Sequence, residues 1–305
     1  MTKNIIIKAK RPCSRIDIFV SESYKNISRS KIEKLIKSNK VKLNNNLINK
    51  KNKEIQIGDI VEIELPEIEK INFHPSFNLE KLFEDDYLLI INKPSGISVH
   101  PGAGKYQETI LDVFRYFYPE INNIKDNERP GIIHRIDKDT SGILLLAKDE
   151  ITMKRMQKKF KRREIKKSYF ALVSGKMRYK NGTINAPIAR DRRRRNRFRV
   201  YQNEDVENCR DSVTEYSVIY EFENFSFVKV FPHTGRTHQI RVHFSFSGNP
   251  ILGDKIYGKS KSFERLALHA YSIEFHHPTY ENLITSYSTL PEIFRKYMQQ
   301  EFLKQ

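Results

Sequence analysis

Apolar positions repeat every second residue over much of this chain and every third to fourth over only a few stretches. Short alternating or continuous apolar runs bounded by turn residues predict strands at "YLLIIN" (87–92), "GILLLAK" (142–148), "KSYFALVSG" (167–175), "VTEYSVIYEF" (213–222) and "FSFVKVF" (225–231), with "FENF" (222–225) as a hairpin tip. Helical spacing predicts helices in "KIEKLIKSNK" (31–40), where Ile32, Leu35 and Ile36 form one stripe, and in "TILDVFRYFYP" (109–119), "ITMKRMQKKFKR" (151–162) and "THQIRVHFSFSGNP" (237–250). In the last, Thr237 is the expected N-cap, Ile240 and Phe244 share a face, and Gly248 and Pro250 end the helix. The expected class is α+β, a central and largely antiparallel sheet flanked by helices and loops. No tandem repeat is visible.

A length of 305 residues suggests two domains at ~150 residues each. Residues 15–65 pattern as a small module: the helix above, an Asn-rich hairpin in "VKLNNNLI" (41–48), then the turn and alternating strand of "IQIGDIVEIEL" (55–65). Its polar side carries Arg29, Lys31, Lys34, Lys37, Lys40 and Lys42. The polar segment after Pro66 reads as a linker, so the expected division is 1–66, a linker over 67–78, and a larger domain over 79–305.

Charge narrows the partner. Lys and Arg number 55 against 37 acidic residues, a net charge of +18, which points to an anionic polymer, nucleic acid ahead of membrane. Part of this excess is a general enrichment in Lys, Asn and Ile, so position is the better guide. Nine of fourteen residues in "KRMQKKFKRREIKK" (154–167) are basic, and "RDRRRRNRFR" (190–199) holds seven Arg, a density that favours phosphate contact. The apolar runs are far shorter than the ~18 residues of a membrane span, and the N-terminus has no signal-peptide core, so a cytoplasmic protein with no membrane partner is expected. Cys13 and Cys209 are isolated, indicating neither a disulfide framework nor a zinc site.

"HRIDKDTSG" (134–142) concentrates the candidate chemistry. A Ser-His-Asp triad of Ser141, His134 and Asp137 is disfavoured because triad members come from separate elements and no nucleophile elbow surrounds Ser141. His233, His238 and His243 recur every five residues, a step of about 140° on a helix and a change of face on a strand, so they are expected to pack and hydrogen-bond rather than share a metal. Asp137 remains, a carboxylate at neutral pH and so a possible nucleophile or base, though an Asp before Thr-Ser-Gly can equally satisfy its own turn.

"HRIDKDTSG" resembles the His-Arg-Leu-Asp-x-x-Thr-Ser-Gly signature of the RluA-type pseudouridine synthases, with Ile136 in place of Leu. Further similar segments follow the family's order: "NKPSGISVHPGAG" (92–104), "KKSYFALVSG" (166–175), "PHTGRTHQIRVH" (232–243), "GNPILGDKIYG" (248–258) and "LHAYSIEFHHP" (268–278), the last departing from the family only in the turn "HHPTYENL". The resemblance implies a nucleophilic Asp at Asp137, an active-site Tyr at Tyr169, which pattern alone would place in the core, and a basic partner at Arg241. It also implies substrate contacts at His134, Arg135, Thr140 and Arg236. "RIDIFV", "SRSKIEKLIKSNKV" and "KLNNN" are similar to the alpha-L RNA-binding module, with Asn45 where a turn Gly is common, which implies RNA contacts from Arg29, Lys31, Lys34 and Lys37. The expectation is an RNA pseudouridine synthase working as a monomer, without cofactor or metal. By its resemblance to one branch of the family, its partner would be large-subunit ribosomal RNA or a pre-ribosomal particle. Transfer RNA is the second substrate, and a non-catalytic RNA-binding assembly factor the alternative of another class.

Overall fold

The computed structural model describes residues 3–24, 29–65, 73–102, 106–126, 128–194, 197–201, 208–258 and 263–304. They form two compact units, one within Met1–His74 and Ile124–Pro130, the other within Pro75–Asn123 and Gly131–Gln305. Among them no helix is long and apolar enough to cross a membrane.

The first unit runs β1 (Lys3–Lys8), α1 (Ile16–Ser23), α2 (Arg29–Lys37), β2 (Val41–Leu43), β3 (Asn46–Leu47) and β4 (Ile60–Leu65), with sheet order β1-β4-β2-β3. Ile32, Leu35 and Ile36 of α2 are buried against Ile16, Phe19 and Val20 of α1 and against Val41, Val61 and Ile63 of the sheet. Each such side chain contributes ~1.5–3 kcal/mol when fully buried. The hairpin expected at the asparagines is present: Asn44 and Asn45 have φ of 49° and 65°, the pair of left-handed residues a tight two-residue loop demands. Asp17 is fully buried and accepts hydrogen bonds from Arg15 and from Arg29, the latter at 3.1 Å. Burial opposes its charge, but the two arginines outweigh it and lower its pKa. Arg29 thus has a structural partner while remaining half exposed, and Lys37 is exposed. The side chains of Lys31 and Lys34, and all of Ser28, lie outside the described residues.

The second unit contains β5 (Lys81–Glu84), β6 (Leu88–Lys93), α3 (Ile110–Phe117), β7 (Ser141–Ala147), α4 (Glu150–Lys161), β8 (Lys166–Ser174), β9 (Asn181–Asn185), β10 (Ile188–Arg190), β11 (Phe198–Val200), β12 (Val213–Glu221), β13 (Phe225–Pro232), α5 (Gln239–Phe246), β14 (Leu268–His276), β15 (Leu283–Tyr287) and α6 (Glu292–Phe302). Its main sheet has the order β5-β6-β7-β14-β8-β13-β12-β9, with β15 on β14, and every pair is antiparallel except β7 with β14. β7 is buried along its whole length, as its unbroken apolar run requires. α3 begins with a capping box between Thr109 and Asp112, and Asp149 caps α4 by accepting from Thr152. The core joins β8 and β13 to α5 through Ile240 and Phe244 and to α6 through Phe294.

The start of α5 corrects the sequence expectation. Thr237 is not its N-cap. His238 occupies that position with φ of 58° and no capping side-chain bond. The side chain of Gln239 serves the turn instead, accepting from the Arg236 N–H at 3.0 Å and from the Thr234 hydroxyl at 2.7 Å. Elements without a strong apolar period were not legible: β9, for instance, is the exposed-rimmed "NGTIN".

β14 can lie between β7 and β8 only because the first of these strands has a glycine at its close approach. Gly142 has φ of 105°, and a Cβ there would stand 2.2 Å from the Ala270 carbonyl oxygen. Gly142→Ala is expected to lower the melting temperature by ~6–12 °C, corresponding to ~3 kcal/mol, in a thermal unfolding experiment.

Candidate active site

All seven residues expected around the reaction centre, His134, Arg135, Asp137, Thr140, Tyr169, Arg236 and Arg241, line one cavity of about 270 Å³ in the second unit. Its floor is the turn before β7, closed by the Thr140 N–H donating to the Asp137 carbonyl at 3.1 Å. That turn is fastened to the Lys93–Gly96 segment. The Gly96 N–H donates to the Lys138 carbonyl at 2.9 Å and the Ser95 hydroxyl to the Asp139 carbonyl at 2.6 Å. Lys93, fully buried, directs Nζ at the carbonyls of Pro94, Ile97 and Lys138 at 2.7, 2.8 and 3.0 Å, and burial pulls its pKa down to about 7.

His134 serves this anchoring too. Its Nε2 accepts from the Leu145 N–H of β7 at 3.0 Å and its ring stacks on Phe160 at 4.6 Å. Burial, then the charge of Lys167, push its pKa to about 3, so the ring is neutral. Thr140 is 2% exposed, and its hydroxyl has no hydrogen-bond partner among the described residues.

α5 supplies the basic group. Arg241 Nη1 donates to Asp137 Oδ2 at 2.9 Å, while Nε and Nη2 make a bidentate pair with Asp254 at 2.8 and 2.9 Å. Asp254 is buried and also accepts the N–H groups of Ile256 and Tyr257, at 2.9 and 3.1 Å. Burial disfavours both charges of this pair, yet their mutual bonds dominate: the Arg241 pKa rises and that of Asp254 falls. The guanidinium lies over the Tyr257 ring at 5.1 Å.

Tyr169, on β8, has its pKa raised by burial and by the Asp137 charge, so it stays a phenol. Two residues earlier, Lys167 shares the cavity wall, with burial lowering its pKa. The Tyr257 hydroxyl accepts from the Phe198 N–H at 2.9 Å and is hydrogen-bonded to His238 Nδ1 at 2.8 Å. The other ring nitrogen of His238, Nε2, stands 4.0 Å from Asp137 Oδ2. The three histidines weighed as metal ligands are dispersed: His233 meets Glu215, and His243 meets Thr214 and the Ala186 carbonyl. Among the described residues no group of three or more His, Cys, Asp or Glu side chains could hold a metal ion.

Sequence reasoning missed Asp254, Lys93, Lys167 and His238 as parts of the site. Asp254 sits in "GNPILGDKIYG" and Lys93 in "NKPSG", both quoted as family-like segments, and Lys167 shares the strand face of Tyr169 by period two. Arg29 and Lys37 belong to the first unit and not to this cavity.

Comparison with known proteins agrees with this architecture. The family model for RNA pseudouridylate synthase matches residues 87–246, and that for the S4 domain matches residues 14–61. An uncharacterized RNA pseudouridine synthase of Aquifex aeolicus is 34% identical over 92% of each chain. Ribosomal large subunit pseudouridine synthase D of Buchnera aphidicola is 35% identical over 91% of each chain, and that of Haemophilus ducreyi 33% identical over 96% of this chain and 93% of its own. Among solved structures, human RNA Pseudouridylate Synthase Domain Containing 4 aligns with a TM-score of 0.60 and 27% identity over 72% of this chain and 92% of that one.

Asp254→Asn is expected to cost ~3 kcal/mol at neutral pH, because Arg241 loses its bidentate carboxylate while still buried. Since the folded state depresses the Asp254 pKa, its stabilisation is complete above the ordinary aspartate range near ~4 and fades as pH falls through the lowered value. The melting-temperature gap between wild type and variant should therefore narrow from pH 7 to pH 3.

Proposed function

Given that the chain belongs to the RNA pseudouridylate synthase family, isomerases acting on RNA, and carries an S4 domain, we propose that its substrate is large-subunit ribosomal RNA and that turnover depends on Asp137. The observation that carries the second part is the chain of contacts Asp254–Arg241–Asp137 at the wall of a cavity shared with Tyr169. The first part rests on relatives that match more than nine-tenths of this chain and are named ribosomal large subunit pseudouridine synthase D. A ribosomal substrate would place the enzyme in the cytoplasm.

Pseudouridine formation breaks the bond from ribose C1′ to uracil N1, turns the base and joins C1′ to C5; the proton lost at C5 is balanced by the one gained at N1. The base must first leave its stack, at a cost of a few kcal/mol that is smallest in loops and bulges. Asp137, held by one oxygen on Arg241, offers the other to the cavity, where it can attack the sugar or the ring or take a ribose proton. Arg241 keeps the carboxylate ionised and aimed. Tyr169, a phenol at neutral pH, can stack on the uracil or donate a hydrogen bond, and its raised pKa argues against a phenolate base.

Asp137→Asn is expected to bind RNA like wild type and to lower tritium release from 5-tritiated uracil in ribosomal RNA by roughly 10³-fold or more. Release from transfer RNA alone would transfer the proposal to that substrate, and turnover by the variant would remove Asp137 from its role. Lys37→Gln, on the exposed side of α2, should weaken RNA affinity without loss of stability, as measured by filter binding and thermal unfolding.

A further inference from the structure

The cavity adjoins a wider cleft of about 640 Å³, the two sharing Phe160, Lys167, Pro232, Thr234, Gly235 and Arg236. The outer part of this cleft is walled by the end of α4 and the start of β8, which add Lys161, Arg163 and Lys166. Five cations therefore face one carboxylate, Glu215, which already holds His233 at 3.0 Å. Lys166 pairs with Glu274 at 2.7 Å, but its side chain is 82% exposed and the pair is screened. Lys161 and Arg163 make no ion pair among the described residues.

Arg163 breaks a local rule to be there. Its N–H donates to the Phe160 carbonyl at 3.1 Å, and that of Glu164 to the Lys159 carbonyl at 3.1 Å, the paired bonds of a Schellman cap. Arg163 occupies the left-handed position of that cap, φ 61°, where glycine is the favoured residue. Cations in the last turn of a helix can be explained by the helix dipole alone. That explanation covers Lys158, Lys159 and Lys161 but gives no reason for a side chain at a position that disfavours one.

We propose that the cleft between the end of α4 and the β13–α5 turn holds backbone phosphates of the RNA strand next to the extruded uridine, with Arg163 as a principal contact. The inference rests on the reaction proposed above. A nucleotide drawn into the cavity remains joined to its neighbours, so the strand must leave over the cavity's rim. On this side the rim is continuous with a cleft lined by five cations against one carboxylate, and two of them, Lys161 and Arg163, make no ion pair among the described residues. Arginine's planar fork suits a phosphate, and Phe231, in the same wall, can take a neighbouring base. The dense basic segment 154–167 thus acquires a direction: the residues at its end face the site.

The test uses the full chain and large-subunit ribosomal RNA transcribed in vitro, with filter-binding Kd values from 50 to 200 mM KCl and melting temperatures for each variant. Arg163→Gly should weaken binding roughly tenfold and reduce the slope of log affinity against log salt by ~0.7, while its melting temperature equals or exceeds that of wild type, since glycine suits the cap. Lys161→Gln should shift the salt slope in the same direction, and Lys296→Gln, which removes equal charge from α6, should not. In tritium release the Arg163→Gly defect should fall more on KM than on kcat. Wild-type affinity and slope in Arg163→Gly would overturn the proposal, as would an equal loss in Lys296→Gln, which would make the effect one of total charge. A wild-type enzyme that binds the transcript but releases no tritium would instead count against the proposed substrate, leaving the binding result for Arg163→Gly to decide the cleft.

Discussion

A guanidinium can be buried only if its charge and its donors are met, and in this molecule that requirement aims the carboxylate of Asp137. Arg241 would lose several kcal/mol on leaving water alone. Asp254 meets two of its nitrogens in a flat bidentate pair and is itself fixed by two backbone N–H groups, so the fork has one orientation. Nη1 is the nitrogen left over, and Asp137 lies against it at 2.9 Å. The backbone that presents Asp254 is constrained in turn: Gly253 has φ of 68°, and a Cβ there would stand 1.9 Å from the Arg265 carbonyl oxygen. A glycine outside the cavity, next to Asp254, thus helps determine where a carboxylate points within it.

The opposite side of the site is rigid for a different reason. In the turn carrying Asp137 the carbonyls of Lys138 and Asp139 are taken by Gly96, Ser95 and the buried amine of Lys93. His134 ties the residues before the turn to β7. These polar fastenings, with the buried amine of Lys93 at their centre, hold the turn on a sheet whose core is apolar. Arg241 arrives on α5 and Tyr169 on β8, so three separate elements meet around one carboxylate. Neither α5 nor β8 could be repositioned without disturbing the core formed by Ile240, Phe244 and Ala171.

What could be seen in the sequence follows from which physical signals are periodic. Strands β6, β7, β8, β12 and β13 and helices α2 to α5 are each visible because one face or both are apolar, and the β2–β3 hairpin because two consecutive asparagines suit a loop with two left-handed residues. Asp137, Tyr169 and Arg241 were reached through motif resemblance, since burial pattern alone makes Tyr169 a core residue. Asp254 escaped because the pairing of two buried charges thirteen residues apart leaves no period in a sequence. Thr237 misled because capping preference is a statement about one residue, whereas the α5 start is settled by Gln239 bonding to four residues on two segments.

The same reasoning sorts the chain's excess of positive charge. A net +18 in a chain rich in Lys, Asn and Ile says little about any single side chain. Lys154 beside Glu150 and Lys296 beside Glu292 sit on helix surfaces at a spacing that any soluble helix uses, and they inform only about solubility. Cations placed at a cost are different. Lys93 gives up water for three carbonyls, which explains it within the fold. Lys167 is half-buried beside the cavity and Arg163 occupies a backbone conformation that favours glycine, and no carboxylate among the described residues accounts for either. Positive charge placed against local preference at the mouth of the cavity that holds Asp137 is what the proposed RNA substrate, arriving with its own phosphates, would require.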